Sequence, residues 1–200
     1  GTLEYVGAAG SPSVERLGAL NLTAGAATIR VSAGLAGTAS LEFASLATNA
    51  NSTLNVITGT GASVKLGVLA GFGGQRIYFN GADIGIFDNG VVRAPIYGTD
   101  TDFNAVDVLT TGKHGYLTAA ATSAAITQKT LKLEGSVTLT LSGTLSMNNG
   151  SNANGNILAT GGASRITGAN VSGPGTANLV IRVNQASDVL TIDGSLTGFT

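Results

Sequence analysis

The sequence predicts an all-β protein wound as a parallel β-helix, or β-solenoid, of about six to nine coils. One figure recurs along the chain, in which two apolar residues flank a single polar one before a break rich in Gly, Ser, Thr and Asn. Because strand side chains alternate between faces, each copy predicts a short strand with two side chains inward and one outward. Composition agrees, since 30 of the 200 residues are glycine, 10% are charged and 43% are hydrophobic. Such a chain is rich in turns and apolar enough to fold.

Twelve copies of the figure define the predicted strands. In chain order they are Leu3-Glu4-Tyr5, Leu20-Asn21-Leu22, Ile29-Arg30-Val31, Leu41-Glu42-Phe43, Leu54-Asn55-Val56, Val64-Lys65-Leu66, Ile77-Tyr78-Phe79, Leu131-Lys132-Leu133, Leu139-Thr140-Leu141, Leu145-Ser146-Met147, Ile181-Arg182-Val183 and Leu190-Thr191-Ile192. From Asn21 to Tyr78 the polar centres are 9 to 13 residues apart, which is room for one strand and one turn. Two or three such steps make a coil of roughly 20 to 35 residues. A charge is costly to bury unpaired, so we expect the six charged centres on the outer surface: Glu4, Arg30, Glu42, Lys65, Lys132 and Arg182.

A β-sandwich is the alternative architecture, because its strands also recur at intervals of about 8 to 12 residues. A sandwich built from antiparallel hairpins favours many two-residue Asn-Gly or Asp-Gly turns. The chain offers only five such pairs: Asn80-Gly81, Asn89-Gly90, Asn149-Gly150, Asn154-Gly155 and Asp193-Gly194. Their scarcity favours the solenoid.

The repeated figure is absent between residues 80 and 127. This stretch holds the only histidine, His114, together with five aspartates and four aromatic residues: Asp83, Asp88, Asp100, Asp102, Asp107, Phe87, Tyr97, Phe103 and Tyr116. Its alanine-rich run, residues 119–125, suits either a turn or two of helix or a tight solenoid corner. We interpret residues 1–200 as a single solenoid segment with an insert-like region at 80–127, and any specific function is expected there.

Composition also disfavours several classes of function. Ten Lys and Arg against eleven Asp and Glu leave no basic patch for nucleic acid. The absence of cysteine excludes disulfides and thiolate zinc sites. No run of about 18 apolar residues predicts a membrane span, and no glycine-rich stretch continues into a Gly-Lys-Ser or Gly-Lys-Thr phosphate loop. No cofactor is therefore expected.

The 80–127 region offers two candidate sites, a calcium loop and a catalytic histidine. Asp100-Thr-Asp102-Phe-Asn104 resembles the first half of a calcium loop, but Ala105 and Thr111 stand where that loop needs Gly and Glu. We interpret this stretch as Asx turns in a solvated loop, with calcium binding by Asp100 and Asp102 as the alternative. His114 is interpreted as a surface-loop histidine rather than the base of a hydrolytic triad. No catalytic, cofactor-binding or metal-binding residue is assigned.

Carbohydrate cleavage is the main enzymatic alternative. Glycoside hydrolysis needs two carboxylates roughly 5 to 9.5 Å apart, and neighbouring coils could bring Asp83 or Asp88 close to Asp100 or Asp102. The chain has no tryptophan, a common platform for sugar rings. Because a fold does not determine a function, catalysis is not the favoured expectation.

Three longer strings carry a family resemblance. They are Phe87-Asp-Asn-Gly-Val-Val-Arg-Ala-Pro-Ile-Tyr-Gly-Thr-Asp100, Gly155-Asn-Ile-Leu-Ala-Thr-Gly-Gly-Ala-Ser-Arg-Ile-Thr167 and Leu179-Val-Ile-Arg-Val-Asn-Gln-Ala-Ser-Asp-Val-Leu-Thr-Ile192. With Gly1–Val6 and Leu20–Gly25, these strings resemble the large bacterial surface proteins that carry autotransporter-associated β-strand repeats. The resemblance implies a right-handed parallel β-helix on the bacterial cell surface, adhesive or structural, without a shared catalytic set.

The expected function is therefore that of an extracellular structural or adhesive segment, acting as a rigid spacer or as a self-assembling filament or matrix component. Its expected partners are other copies of itself or cell-surface proteins, with glycans and host surfaces as further candidates. The alternative is a polysaccharide-degrading β-helix enzyme, either a lyase or a glycoside hydrolase. Because neither end of the sequence resembles a cap, we expect a fragment or processed piece of a longer chain.

Overall fold

A computed structural model describes residues 1–49, 51–148 and 155–199 of the chain, without the side chains of residues 176 and 177. All regular structure in these residues is β, arranged as parallel stacked strands in a β-solenoid of about seven turns. The predicted fold is thus confirmed, and the sandwich is excluded because coil-to-coil pairing is parallel. The chain separates into two compact units, Gly1–Pro95 and Ile96–Thr200.

Unit 1 begins with three coils of regular solenoid. Their strands are β1 (Thr2–Val6), β2 (Pro12–Leu22), β3 (Gly25–Ser32), β4 (Thr38–Thr48), β5 (Ser52–Thr58) and β6 (Ala62–Leu66). Odd-numbered and even-numbered strands form separate parallel stacks, with Glu4 paired to Arg30 and Arg16 to Glu42, each 26 residues later. In β4, Leu41 and Phe43 point inward at alternate positions, but the next side chain that packs on the core is Leu46, three residues after Phe43. This break in alternation marks a bend, so each long strand covers two faces. Together with the odd-numbered strand, each coil therefore has three faces.

The far end of unit 1 turns antiparallel. It contains β7 (Gly71–Phe72), β8 (Ile77–Phe79), β9 (Asp83–Ile84), β10 (Ile86–Asp88) and β11 (Val91–Arg93). Strand β8 still pairs parallel with β5, but β8 and β9 form one hairpin and β10 and β11 another. Asn89 and Gly90 make the two-residue turn of the second hairpin, with φ of 48° and 84°. These positive values suit a type I′ turn.

The link between Asn-Gly pairs and hairpins holds in unit 1, because two of the five pairs lie in the hairpin turns at its far end. Asp193-Gly194 instead lies at the corner between Val189–Ile192 and Leu196–Phe199, two strands of unit 2, and Asn149, Gly150 and Asn154 lie outside the described residues. Strand β11 pairs antiparallel with β6 through Val91 and Lys65, so the hairpin covers the edge of the last regular coil. Covering an edge removes a row of unpaired backbone groups.

Unit 2 contains four coils with three parallel stacks of strands. The strands are β12 (Lys113–Leu117), β13 (Ala121–Ser123), β14 (Ile126–Glu134), β15 (Thr138–Leu141), β16 (Leu145–Met147), β17 (Gly155–Thr160), β18 (Ala163–Thr167), β19 (Val171–Ala177), β20 (Leu179–Val183), β21 (Val189–Ile192) and β22 (Leu196–Phe199). Strand β14 serves two faces, since its first half pairs with β16 and its second half with β12 and β17. The alanine-rich run forms β13 and its corners, so the helical option was wrong.

Each unit has its own apolar core, built from the flanking residues of the repeated figure. In unit 2 the inward ladder from Leu131 to Ile157 is completely buried, whereas Ile181 in the last coil is 41% exposed. Two central residues of the figure differ from expectation. Tyr78 is buried rather than outward and wet, and Lys132 lies on the outer side of its sheet but is only 3% exposed. Something therefore covers the outer face around Lys132.

Candidate functional site

The cover is a segment of residues 96–111, here called the strap, which lies along the outer edge of β12. The His114 N–H donates to the Asp102 carbonyl at 2.8 Å, and the Asn104 N–H donates to the His114 carbonyl at 3.0 Å. Further on, the Asp107 N–H donates to the Tyr116 carbonyl at 2.8 Å. Phe103 and His114 form a parallel β-bridge. The strap therefore satisfies backbone groups on the edge of β12 that β14 leaves unpaired.

Asp102 fixes the strap by charge. One carboxylate oxygen accepts a hydrogen bond from Lys113 Nζ, and the other accepts from Lys129 Nζ at 2.6 Å. These bonds from two ammonium groups lower the pKa of Asp102 to about 2. Its backbone has a φ of 68°, a conformation that Asp tolerates better than most residues. Asp102 therefore joins β12, β14 and the strap at one point.

The arrangement of Asp100 and Asp102 favours the turn interpretation over calcium. Both oxygens of Asp102 already face lysines, and Asp100 Oδ2 accepts a hydrogen bond from the Ile96 N–H across a tight turn. In the part of the chain that the structure describes, no group of three or more His, Asp or Glu residues could hold a metal ion. The chemistry of this loop is that of an ion-paired turn.

The interpretation of His114 as a surface-loop residue was wrong. It lies within β12 and is only 2% exposed. Its ring stacks on Phe103, with centroids 4.2 Å apart and planes 13° apart, and Nδ1 lies 2.9 Å from Thr130 Oγ1. Burial, together with the nearby Lys129 ammonium, lowers the pKa of His114 to about 4. The imidazole is therefore neutral at physiological pH.

Three of the four aromatic residues noted in the interruption meet at the strap. Tyr97 packs edge-on against Phe103 at 5.5 Å and tilts against Tyr116 at 4.5 Å. Lys132 Nζ lies 4.4 Å from the centre of the Tyr116 ring and 2.9 Å from Glu134 Oε2. These contacts compensate the burial of the Lys132 charge.

Glu134 and Asp107 complete the attachment. The Tyr116 hydroxyl donates to Glu134 Oε2 at 2.5 Å, and this bond together with Lys132 lowers the pKa of Glu134 against the opposing effect of burial. Asp107 accepts hydrogen bonds from the backbone of Thr118 and Ala119 and from the Thr118 hydroxyl, which lowers its pKa. Asp107 therefore holds the strap to the end of β12, and Glu134 joins β14 to Tyr116 of β12.

Two of the aspartates considered for glycoside hydrolysis, Asp88 and Asp102, are held by cationic side chains. Asp88 forms an ion pair with Arg93 at 3.2 Å. A general acid requires a raised pKa, but the two lysines lower that of Asp102.

Sequence reasoning found Asp102, Phe103 and His114 but missed their partners. Lys113, Lys129 and Thr130 had no distinguishing motif, because their proximity depends on the parallel register that sets Lys113 beside Gln128 and His114 beside Thr130. One feature of the sequence pointed to the covered lysine. Lys132 is the charged central residue of the first copy of the figure after residues 80–127, the stretch that holds the aromatic residues.

No family model matches the chain, and no curated protein or solved structure is significantly similar to it. Within the described ranges, the structure contains no helix that is long and apolar enough to cross a membrane.

Proposed function

We propose that this chain is a rigid structural or adhesive segment of a bacterial surface protein that works outside the cell as a β-solenoid spacer. The observation that carries the proposal is the continuous inward ladder in each unit. In unit 2, Leu131, Leu133, Ile157 and Ala159 are fully buried in successive paired strands. Each such side chain contributes roughly 1.5 to 3 kcal/mol, so coil-to-coil burial stabilises the stack of coils within each unit without disulfides.

The polar surface supports the same proposal. Outward positions carry mostly neutral side chains or paired charges, such as Asn55, Thr140, Ser146 and the Arg16–Glu42 ion pair. The carboxylates of the strap and of the strand Glu134 belongs to are engaged, since Asp102, Asp107 and Glu134 accept hydrogen bonds from Lys, backbone and Tyr donors. A surface of this kind suits a spacer or a contact surface better than turnover of a polysaccharide.

Two measurements test the proposal. Incubation of the protein with a panel of neutral and acidic polysaccharides is expected to yield no new reducing ends and no unsaturated products. Retention on a glycan array without turnover would assign the adhesive role, and absence of retention would assign the spacer role. Product formation that persists after purification and disappears on substitution of an aspartate would overturn the proposal in favour of an enzyme.

A further inference from the structure

The strap lies on the surface of unit 2 and contributes little to its apolar core. Leu109 is partly buried against that core, and Phe103 is buried on the outer side of β12, against the ring of His114. Three other apolar side chains of the strap are about half exposed: Ile96 at 56%, Val106 at 43% and Val108 at 47%. A segment with few buried apolar contacts opens locally at a lower free energy than the coils beneath it.

Three consecutive residues of the strap meet at His114 of β12. The His114 N–H donates to the Asp102 carbonyl, and the His114 carbonyl accepts from the Asn104 N–H. Phe103, between them, stacks on the imidazole with ring centroids 4.2 Å apart. Because His114 belongs to β12 rather than to the strap, displacement of the strap would expose the ring face that Phe103 covers. The closed strap therefore keeps water from this face of the imidazole.

The charges that face the imidazole come from the strap, β12 and β14. The strap provides the Asp102 carboxylate, β12 provides Lys113, and β14 provides Lys129. Both oxygens of Asp102 already accept hydrogen bonds from these two lysines. A proton on His114 would therefore add a third positive charge beside one carboxylate, at a ring that is buried. The other ionisable groups of these elements have partners of their own: Asp100 with the Ile96 N–H, Asp107 with the Thr118 N–H, and Glu134 with Tyr116 and Lys132.

The closed strap also buries a polar group without a partner. Asn104 is 9% exposed, and among the described residues its side-chain Nδ2 has no hydrogen-bond partner. A buried donor that is left unpaired is unfavourable, because water satisfies the same group when it is exposed. Opening of the strap would hydrate Asn104 Nδ2. The bonds from Lys113 and Lys129 to Asp102 act in the opposite sense and hold the strap closed.

We propose that the strap is a pH-sensitive cover, which opens from the edge of β12 when His114 is protonated while the coils beneath it stay folded. Opening removes Phe103 from the imidazole, so the added charge is solvated rather than buried. It also frees the backbone groups of His114 and Tyr116 that the strap binds, which leaves unpaired donors and acceptors on the edge of β12. This conformational change lies within unit 2 and goes beyond the spacer function.

Hydrogen exchange of the native protein in low concentrations of urea measures the opening. The amides of His114, Asn104 and Asp107 report on the strap, because each is bonded between the strap and β12. The amides of β17, an inner strand that pairs on both sides, report on unfolding of unit 2. The strap amides are expected to exchange faster than those of β17 and at a rate that urea does not change. Exchange of the β17 amides is expected to accelerate with urea, because unfolding exposes far more surface than local opening does.

The pH dependence of this exchange tests whether His114 is the trigger. With a pKa of 6.5 when solvated and about 4 when covered, the ring is expected to raise the opening constant of the strap about 70-fold between pH 7.5 and pH 4.5. Opening constants follow from the exchange rates after correction for the intrinsic rate at each pH. The matched control His114→Gln keeps a polar side chain that does not titrate, and it is expected to lose this increase. Strap amides that show no larger increase in the wild type than in His114→Gln, or that exchange only together with β17, would overturn the proposal.

A second pair of variants keeps the test independent of any damage from replacing His114. Asp102→Asn removes the ion pairs that hold the strap, so it is expected to raise the opening constant at pH 7.5 about ten-fold or more and to keep the further increase in acid. Asp88→Asn breaks an ion pair with Arg93 in unit 1 and is expected to leave exchange of the strap unchanged. A strap that opens no more readily in Asp102→Asn than in Asp88→Asn would overturn the role of Asp102 in holding it closed.

Discussion

The pH dependence of stability offers a direct test of the strap, because the chain contains a single histidine. His114 has an ordinary pKa of 6.5 when unfolded and a pKa of about 4 in the folded protein, lowered mainly by burial. As pH falls, the unfolded chain binds the proton first, so the free energy of unfolding decreases through the window from about 6.5 to 4. At pH 4.5 the decrease attributable to this group is about 2.5 kcal/mol.

The measurement combines NMR titration with urea unfolding. The single imidazole resonance gives the folded pKa directly, and unfolding curves of the wild type and His114→Gln at pH 7.5 and 4.5 give the free energies. The wild type is expected to lose about 2.5 kcal/mol more than the variant over this interval. Asp102, Asp107 and Glu134 also have lowered pKa values, but both proteins retain these groups, so their contribution cancels.

The result that refutes this reasoning is equally specific. A folded His114 pKa near 6.5, with parallel pH dependence in the wild type and His114→Gln, would mean that the ring is solvated. The stacking of Phe103 and the covering role of the strap would then be wrong.

Three further predictions concern the core, the hairpin and the ion pair. Leu131→Ala in an inner coil is expected to lower the free energy of unfolding in urea by about 3 kcal/mol. Ile181→Ala in the last coil is expected to lower it by about 1 kcal/mol or less, because that side chain is 41% exposed. Equal losses would contradict the order of the coils. Gly90→Ala is expected to lower the free energy of unfolding by about 3 kcal/mol and Gly10→Ala by about 1 kcal/mol. Both glycines have positive φ, but only at Gly90 would the new Cβ lie 2.1 Å from a carbonyl oxygen. Thermal melts that show the reverse order would exclude the hairpin turn. Asp102→Asn is expected to lower the pKa of His114 further, because the Asp102 carboxylate raises that pKa whereas Lys129 and Lys113 lower it. An upward shift of the His114 pKa in the NMR titration would argue against the proximity of Asp102 and His114.

Two strand edges inside the units are covered. At the antiparallel end of unit 1, the β10–β11 hairpin pairs with β6, and in unit 2 the strap bonds to the outer edge of β12. Covering these edges limits pairing with other strands.

The sequence by itself determined the all-β class and the short parallel strands. These follow from local chemistry, because the apolar-polar-apolar figure fixes which side chains share a face and Asn89-Gly90 fixes a turn whatever surrounds it. Only the tertiary structure decided that His114 is buried and that Lys132 is covered. Both depend on the register between β12 and β14, which sets His114 beside Thr130 and Tyr116 beside Lys132. A one-residue shift would turn each of them to the opposite face, and nothing within either strand specifies that register.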